Sequence, residues 1–431
     1  MVQNKNFAKK LLRKLSGKQG TIDAPHIADA LDYIERHWQV LLHEQVQDKG
    51  TVIGLPNPYV VPAASGASNF SFKEQYYWDS YFTVLGLVGT KHQDLAEGML
   101  ENLLHLFRRF HYIPNASRMY FMSRSQPPLL TSFIRLIYET GGKDKAWLKE
   151  RMDLAVEEYE NVWTAQEHPF WHKVHHGLSR YYDINVLHDL AEAESGWDMT
   201  TRFDRKCLDF LPIDLNCLLY KYETDFAWLE RELGNEKRAK HWDGLAGSRK
   251  HEVNKYMWHK RRGFYFDYNY AKGQLGDVWS LAGYFALWSG LASKEQAEVM
   301  VKNISKFEHS GGLATTTRPL LDTSIFGSLR TQWAFPNGWA PLQYIVITGL
   351  ENYGYHIKAE QQARKWIQTN MYWFERYGVF QEKYNVVKPH KNPVEGVYPG
   401  QTGFGWTNAI FVYLSKKYNL NSNDVQVNSD E

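Results

Sequence analysis

The feature that most constrains this chain is a helical hydrophobic period that returns along most of its length. Ile27, Leu31, Ile34, Trp38 and Leu41 recur at spacings of 4, 3, 4 and 3, which places them on one stripe of an α-helix. The same pattern predicts helices over about 74–88, 94–111, 128–140, 145–163, 214–233, 236–258, 278–291, 293–306, 338–350, 357–374 and 405–416. Between them run long stretches rich in Gly, Pro and aromatics, among them "HYIPNASRMYFMSRSQPP", "HGLSRYYDINVLHDLAEAESGWD" and "RTQWAFPNGWAP". Loops of that length without structure of their own are uncommon unless they serve function. About a dozen helices alternating with such loops, with no convincing βαβ pattern, predict an all-α fold in which helical hairpins close into a toroid. Its binding site belongs where the loops converge.

Composition narrows the function classes. The 431 residues suffice for one large helical barrel, and two domains are also admissible on length alone. Aromatics reach 15%, with 16 Trp, 27 Tyr and 22 Phe; core packing is their usual fate, and the excess suits the flat faces of sugars. A formal net charge of +2 creates no field that would draw nucleic acid. Cys207 and Cys217 form neither a disulfide framework nor a thiolate metal motif, which fits a reducing compartment. The opening "MVQNKNFAKKLLRKLSGKQG" is basic but has no continuous apolar core, and residues 1–20 are read as an outer helix or arm rather than a membrane-surface helix. With no apolar run of 18 residues either, a cytoplasmic protein without stable membrane association is expected, with a monomer as one option. The polar stretch 417–431 is read as a disordered tail.

Two carboxylates stand out. Asp198 lies in "ESGWDMTTRF". It reads either as a helix N-cap, accepting hydrogen bonds from free backbone N–H groups, or as an acid whose proton is retained near neutrality in an aromatic pocket. Glu382 lies in "VFQEKYNVV", beside Tyr384 and upstream of Glu395 in "VEGVYPGQTGFGWTN". Its bland reading is a surface acid paired with Lys383. Two acids in unlike surroundings suit glycoside hydrolysis, in which one protonates the leaving oxygen and the other activates water. Asn115, Arg118, Arg124 and Gln126 are candidate hydroxyl readers, although either arginine also reads as a structural ion-pair partner. Trp78, in "QYYWDSYF" at a helix start, reads as core or as a sugar platform. His172 and His176 are four apart, as on one helical face, but without a third ligand or the H-E-x-x-H glutamate no metal site is expected.

Seven blocks, "KEQYYWDSYFTVLGL", "IPNASRMYFMSRSQPP", "ESGWDMTTRF", "LPIDLNCLLYK", "QWAFPNGWAPLQ", "QEKYNVV" and "GQTGFGWTN", stand in the order and with roughly the spacing found in the trehalase glycoside hydrolases. Over about residues 50 to 415 the chain resembles that family. The resemblance implies a single (α/α)6 barrel over residues 21–416 and inverting hydrolysis of a small α-glucoside without metal or organic cofactor. It also implies Asp198 as general acid and Glu382 as general base. Trp78, Asn115, Arg124 and Trp339 of "PNGW" match family positions that contact the sugar, and Glu395 is grouped with this substrate-binding set.

The chain also departs from the family pattern. Where the family reads P-G-G-R-F, this chain has "PAASGASNFSF", with Ser71 at the arginine position; no Arg lies between Arg36 and Arg108. The family's P-R-P-E segment is missing between Arg180 and Asp198, and Ala334 replaces an Asp. Each lost charged contact to a hydroxyl costs roughly 1.5–3 kcal/mol unless replaced, and Lys73, Glu192 and Glu194 are candidate replacements. The expectation is an active α-glycosidase acting on trehalose or a related small α-glucoside. Its rivals are a sugar-binding homologue without catalysis and another enzyme, an isomerase or phosphorylase, on the same barrel.

Overall fold

The computed structural model describes residues 24–64, 72–165, 168, 170–317, 331–396 and 400–420. The basic segment 1–20, Ser71 and residues 421–431 lie outside them. Thirteen α-helices are formed by the described residues. They are α1 (Ala24–Leu41), α2 (Tyr77–Val84), α3 (Gln93–Phe110), α4 (Leu130–Thr140), α5 (Lys145–Glu158), α6 (His188–Glu194) and α7 (Ile213–Glu232). The remainder are α8 (Glu236–Met257), α9 (Phe285–Trp288), α10 (Lys294–Asn303), α11 (Ala340–Asn352), α12 (His356–Tyr377) and α13 (Gly405–Lys417).

Six of them form a closed inner ring: α2 packs on α4, α4 on α7, α7 on α9, α9 on α11, α11 on α13, and α13 back on α2. Burial follows position. Every residue of α2 and α9 is buried, as is α11 from Ala340 to Leu350, because these helices meet neighbours on all sides. The outer helices bury one stripe. In α3 that stripe includes Ala96, Met99, Leu100, Leu103, Leu104 and Phe107. Outer α3, α5, α8 and α12 pack on inner α2, α4, α7 and α11, and α1, the first helix of the described residues, lies against α12 and α13 and joins the outer layer. This is the (α/α)6 barrel.

Connection lengths decide where the site lies. Inner-to-outer links are short, spanning 85–92, 141–144, 233–235, 289–293 and 353–355. Outer-to-inner links are long, spanning 42–76, 111–129, 159–212, 258–284, 304–339 and 378–404. All long segments therefore meet at one end of the barrel, beside the N-termini of the inner helices. Two small antiparallel pairs matter there: β1 (Lys173–His175) forms a hairpin with β2 (Leu178–Ser179), and β3 (Asn337–Trp339) pairs with the distant β4 (Lys383–Asn385).

The periodicity predicted most helices to within a few residues, with physically informative exceptions. The 278–291 helix is a 3-10 turn, Leu281–Tyr284, followed by the single turn of α9. The 145–163 helix ends as a π-turn from Tyr159 to Trp163. The stretch read as a loop through 188–194 contains α6. His172 and His176 flank a hairpin strand instead of sharing a helical face.

Candidate active site

Asp198 caps no helix: it follows the end of α6, in a bend, and the next α-helix begins at Ile213. The bend is folded back on α6, with Ser195 Oγ donating to the Glu192 carbonyl at 2.5 Å and Thr200 N–H donating to Glu192 Oε1 at 2.9 Å. Gly196 makes the turn possible. Its φ is +71°, and a Cβ there would lie 2.6 Å from the Trp78 indole. Trp197 is fully buried, stacked 5.6 Å from Trp333, with the Arg202 guanidinium 4.4 Å over its ring. Arg202 is held in turn by Asp214 and Asp267. Burial pushes the Asp198 carboxyl up to about 6; the Arg124 charge opposes this and the Glu382 charge adds to it. An acid so placed holds its proton across mildly acidic pH and is available as a donor just below neutrality.

Glu382 is reached from the opposite side of the ring, on the link from α12 to α13. Its backbone N–H donates to the Gln401 carbonyl at 2.9 Å, and its carbonyl accepts from Trp406 Nε1 at 3.3 Å. The bland expectation held for its partner but failed for its exposure. Lys383 Nζ donates to Glu382 Oε2 at 2.7 Å, yet both side chains are buried, at 0% and 1% exposure. The β3–β4 register sets Trp339 opposite Lys383, with Nζ 4.9 Å above the indole.

The other candidates divide between the site lining and its scaffold. Arg124 reaches within charge range of Asp198 and is held at 3.1 Å by the buried Asp183, which also accepts from Ser123 Oγ. Trp78 is buried against Trp333 and Trp406 at centroid distances of 5.6 and 6.0 Å. Trp339 is fully buried behind Trp333, parallel to it at 3.8 Å, and donates from Nε1 to the Gln332 carbonyl. Asn115 donates to the Ser125 carbonyl at 3.1 Å. Gln126 accepts from Trp78 N–H at 3.0 Å, and Arg118 is ion-paired to Glu74. Glu395 lies exposed in the loop after β4, one residue beyond Val394, whose N–H and carbonyl both bond the Asn337 side chain. That tether keeps Glu395 beside the β3–β4 pair.

Of the possible replacement contacts, Glu194 accepts from the Ser125 and Tyr182 N–H groups and bonds His172, and Glu192 accepts from Thr200. Lys73 is exposed, and Ala334 is buried beside Trp333. Among the described residues no cluster of three or more His, Cys, Asp or Glu is placed to hold a metal. A shallow cleft lined by Ser310, Thr369, Tyr372 and His390 shares no residue with this site.

Asp79, which the sequence places with Trp78 at a helix start, received no role from sequence reasoning. Buried in the first turn of α2, its carboxyl is pushed well up by burial and by the charges of Asp198 and Glu382. It is thus a third acid within electrostatic reach of the other two. The available signal was an Asp next to Trp78 in an otherwise apolar helix start.

The fold is an (α/α)6 barrel in which Asp79, Asp198 and Glu382 lie close enough to act on one another as like charges. The chain belongs to the trehalase family: the model described as Trehalase matches residues 8–189 and 168–419. A probable trehalase from Eremothecium gossypii is 32% identical over 86% of this chain and 58% of its own length. The periplasmic trehalase of Salmonella paratyphi B is 30% identical over 88% of this chain and 72% of its own. The structure of neutral trehalase Nth1 from Saccharomyces cerevisiae superposes with a TM-score of 0.72 at 32% identity, covering 84% of this chain and 75% of that one. This chain spans 54–58% of the length of the first fungal relatives it matches. No helix among the described residues is long and apolar enough to cross a membrane.

Proposed function

We propose that this protein hydrolyses trehalose or a related small α-glucoside with inversion at the anomeric carbon. The observation that carries the reading is the contrast between the two facing acids. Asp198 is pushed up to about 6 by burial, with no cation in hydrogen-bonding range among the described residues, whereas Glu382 is hydrogen-bonded to the Lys383 ammonium. In this mechanism Asp198 donates its proton to the glycosidic oxygen as the C1–O bond breaks. Glu382 accepts a proton from the water whose oxygen bonds to C1 from the opposite face. The attacked glucosyl unit is therefore released as β-glucose and the departing unit as α-glucose. The names of the relatives support trehalose as the substrate. A cytosolic setting agrees with the fungal relatives named cytosolic neutral trehalase and with two buried, unpaired cysteines.

Proton NMR of the purified protein with trehalose tests the reading. β-Glucose and α-glucose should appear together early and in equal amounts, both at least about a hundredfold more slowly with Asp198→Asn. Early formation of α-glucose alone would refute inversion. Turnover unchanged in Asp198→Asn would remove Asp198 from the chemistry.

A further inference from the structure

We infer that Lys383 is the positioning residue for Glu382, assigning it the role of base by supplying a fixed, desolvated positive charge in direct contact with its carboxylate. This rests on the proposed hydrolysis and adds a residue to it. A lysine is almost never fully buried unless paired, because removing an ammonium from water is expensive. Lys383 is 0% exposed, and Glu382, 2.7 Å away, is 1% exposed. Successive residues of an extended strand point to opposite faces, so an adjacent Glu–Lys pair of this kind needs the strand to begin between the two residues. It does: β4 starts at Lys383, and Glu382 lies just before it.

The ammonium is held from behind. Its Nζ lies 4.9 Å from the Trp339 ring, and Trp339 is backed at 3.8 Å by the parallel Trp333. The β3–β4 pairing fixes Trp339 opposite Lys383. A cation on an indole face is favoured electrostatically, more so where water is absent. Lys383 therefore has a platform as well as a partner.

Cation placement then distinguishes the acids. Asp79 from α2 and Asp198 from the link between α6 and α7 both act on Glu382 as like charges. Arg124, the cation that reaches Asp198 electrostatically, is hydrogen-bonded to Asp183. Among the described residues, Lys383 is the cation hydrogen-bonded to a member of the acidic trio. One acid therefore touches a fixed cation while Asp198 does not, and that difference in placement is what assigns Glu382 to receive the proton from water and Asp198 to supply one.

The test compares parent, Lys383→Met, Lys383→Gln and Lys383→Arg on trehalose across pH 4–9. The neutral variants should lose at least about tenfold in kcat, with KM within about threefold. The acidic limb of kcat/KM should move upward by about one pH unit or more, the shift expected when an opposite charge leaves contact with a carboxylate. Lys383→Arg should restore the position of that limb. A uniform loss across pH, with the limb unmoved, would overturn the inference and leave Lys383 a structural residue.

A second measurement does not depend on turnover. With glutamate labelled at the carboxyl carbon, the Glu382 signal, identified by its loss in Glu382→Gln, should titrate over a higher pH range in the neutral variants than in the parent. An unmoved titration overturns the inference even if the parent hydrolyses no glucoside. A moved titration in a protein without turnover would uphold the Lys383–Glu382 coupling and refute the hydrolase reading. If one neutral variant fails to fold, the other and Lys383→Arg still decide the outcome.

Discussion

Two buried charge clusters flank the same bend and are built on opposite rules. On one side Arg202 donates four hydrogen bonds, two to Asp214 and two to Asp267, at 2.7–3.0 Å. Ile213 N–H adds a bond to Asp267, and each carboxylate faces its cation directly. On the other side Asp79, Asp198 and Glu382 interact as like charges, and only Glu382 is hydrogen-bonded to a cation among the described residues. The first arrangement uses charge to hold Trp197 in place. The second leaves acids that repel one another without a cation for each, an arrangement unfavourable to stability and suited to proton transfer.

The most direct way to break this comparison is to neutralise one acid of the second cluster. Asp198→Asn should lower turnover about a hundredfold to ten-thousandfold while leaving the urea midpoint equal to or above that of the parent, since an incompletely compensated buried charge is removed. A variant that unfolds more easily at unchanged kcat would invert the assignment. Arg202→Leu should do the reverse. It strands Asp214 and Asp267 in the interior, a change costing about 3–5 kcal/mol of unfolding free energy; a urea midpoint within error of the parent would show that the cluster is not structural.

Glu158 sharpens the contrast because it is a buried acid without a cation, away from the proposed chemistry. It sits at the end of α5, fully buried, and accepts from Tyr77 Oη at 2.9 Å and Tyr222 Oη at 2.8 Å. Burial raises its carboxyl to about 7 from an ordinary 4.5, with the two tyrosine hydrogen bonds opposing the rise. The folded state therefore binds the proton more tightly than the unfolded chain. Its contribution is fully present below about pH 4.5 and is lost as pH rises through about 7. At about 1.4 kcal/mol per unit, this is on the order of 3 kcal/mol. Glu192, also raised to about 7 mainly by burial, acts in the same direction. In urea titrations between pH 4 and 8, Glu158→Gln should flatten the fall in stability without moving the pH profile of kcat. An unchanged slope would show that Glu158 does not titrate in that range.

Much of this was legible in the sequence because helical periodicity is local. The stripe of α3 and the runs that became α7 and α8 are written at spacings of three and four, and hairpins of such helices have few ways to close. What was hidden depended on contacts distant in sequence. The 3-10 turn and short α9 replaced a predicted fourteen-residue helix because inner-ring packing makes every position there apolar and erases the period that marks a helix end. The burial of Lys383 depends on β3, more than forty residues upstream. Asp79 became visible as a companion of the two acids only when Asp198 and Glu382 were brought beside it from other links. Asp198 showed the limit of local chemistry: its residue type suited a cap, but Gly196 against Trp78 turned the chain into a bend where no helix begins.

Gly196 therefore offers the smallest perturbation that still separates the two clusters. Alanine at φ +71° incurs a left-handed penalty of roughly 1–2 kcal/mol, and its Cβ, 2.6 Å from the Trp78 indole, forces the bend or the ring to shift. The Arg202 bonds to Asp214 and Asp267 lie on the far side of Trp197 and need not change, so most of the unfolding free energy should survive. Asp198, two residues along the bend, should be displaced, and displacement of a proton donor by about 1 Å can cost on the order of a hundredfold in rate. Gly196→Ala should thus lose more in kcat than in stability, with KM raised because Trp78 moves as well. Equal kcat in a destabilised protein would place the precision of the site in the charged clamp around Trp197, and not in the glycine–tryptophan contact.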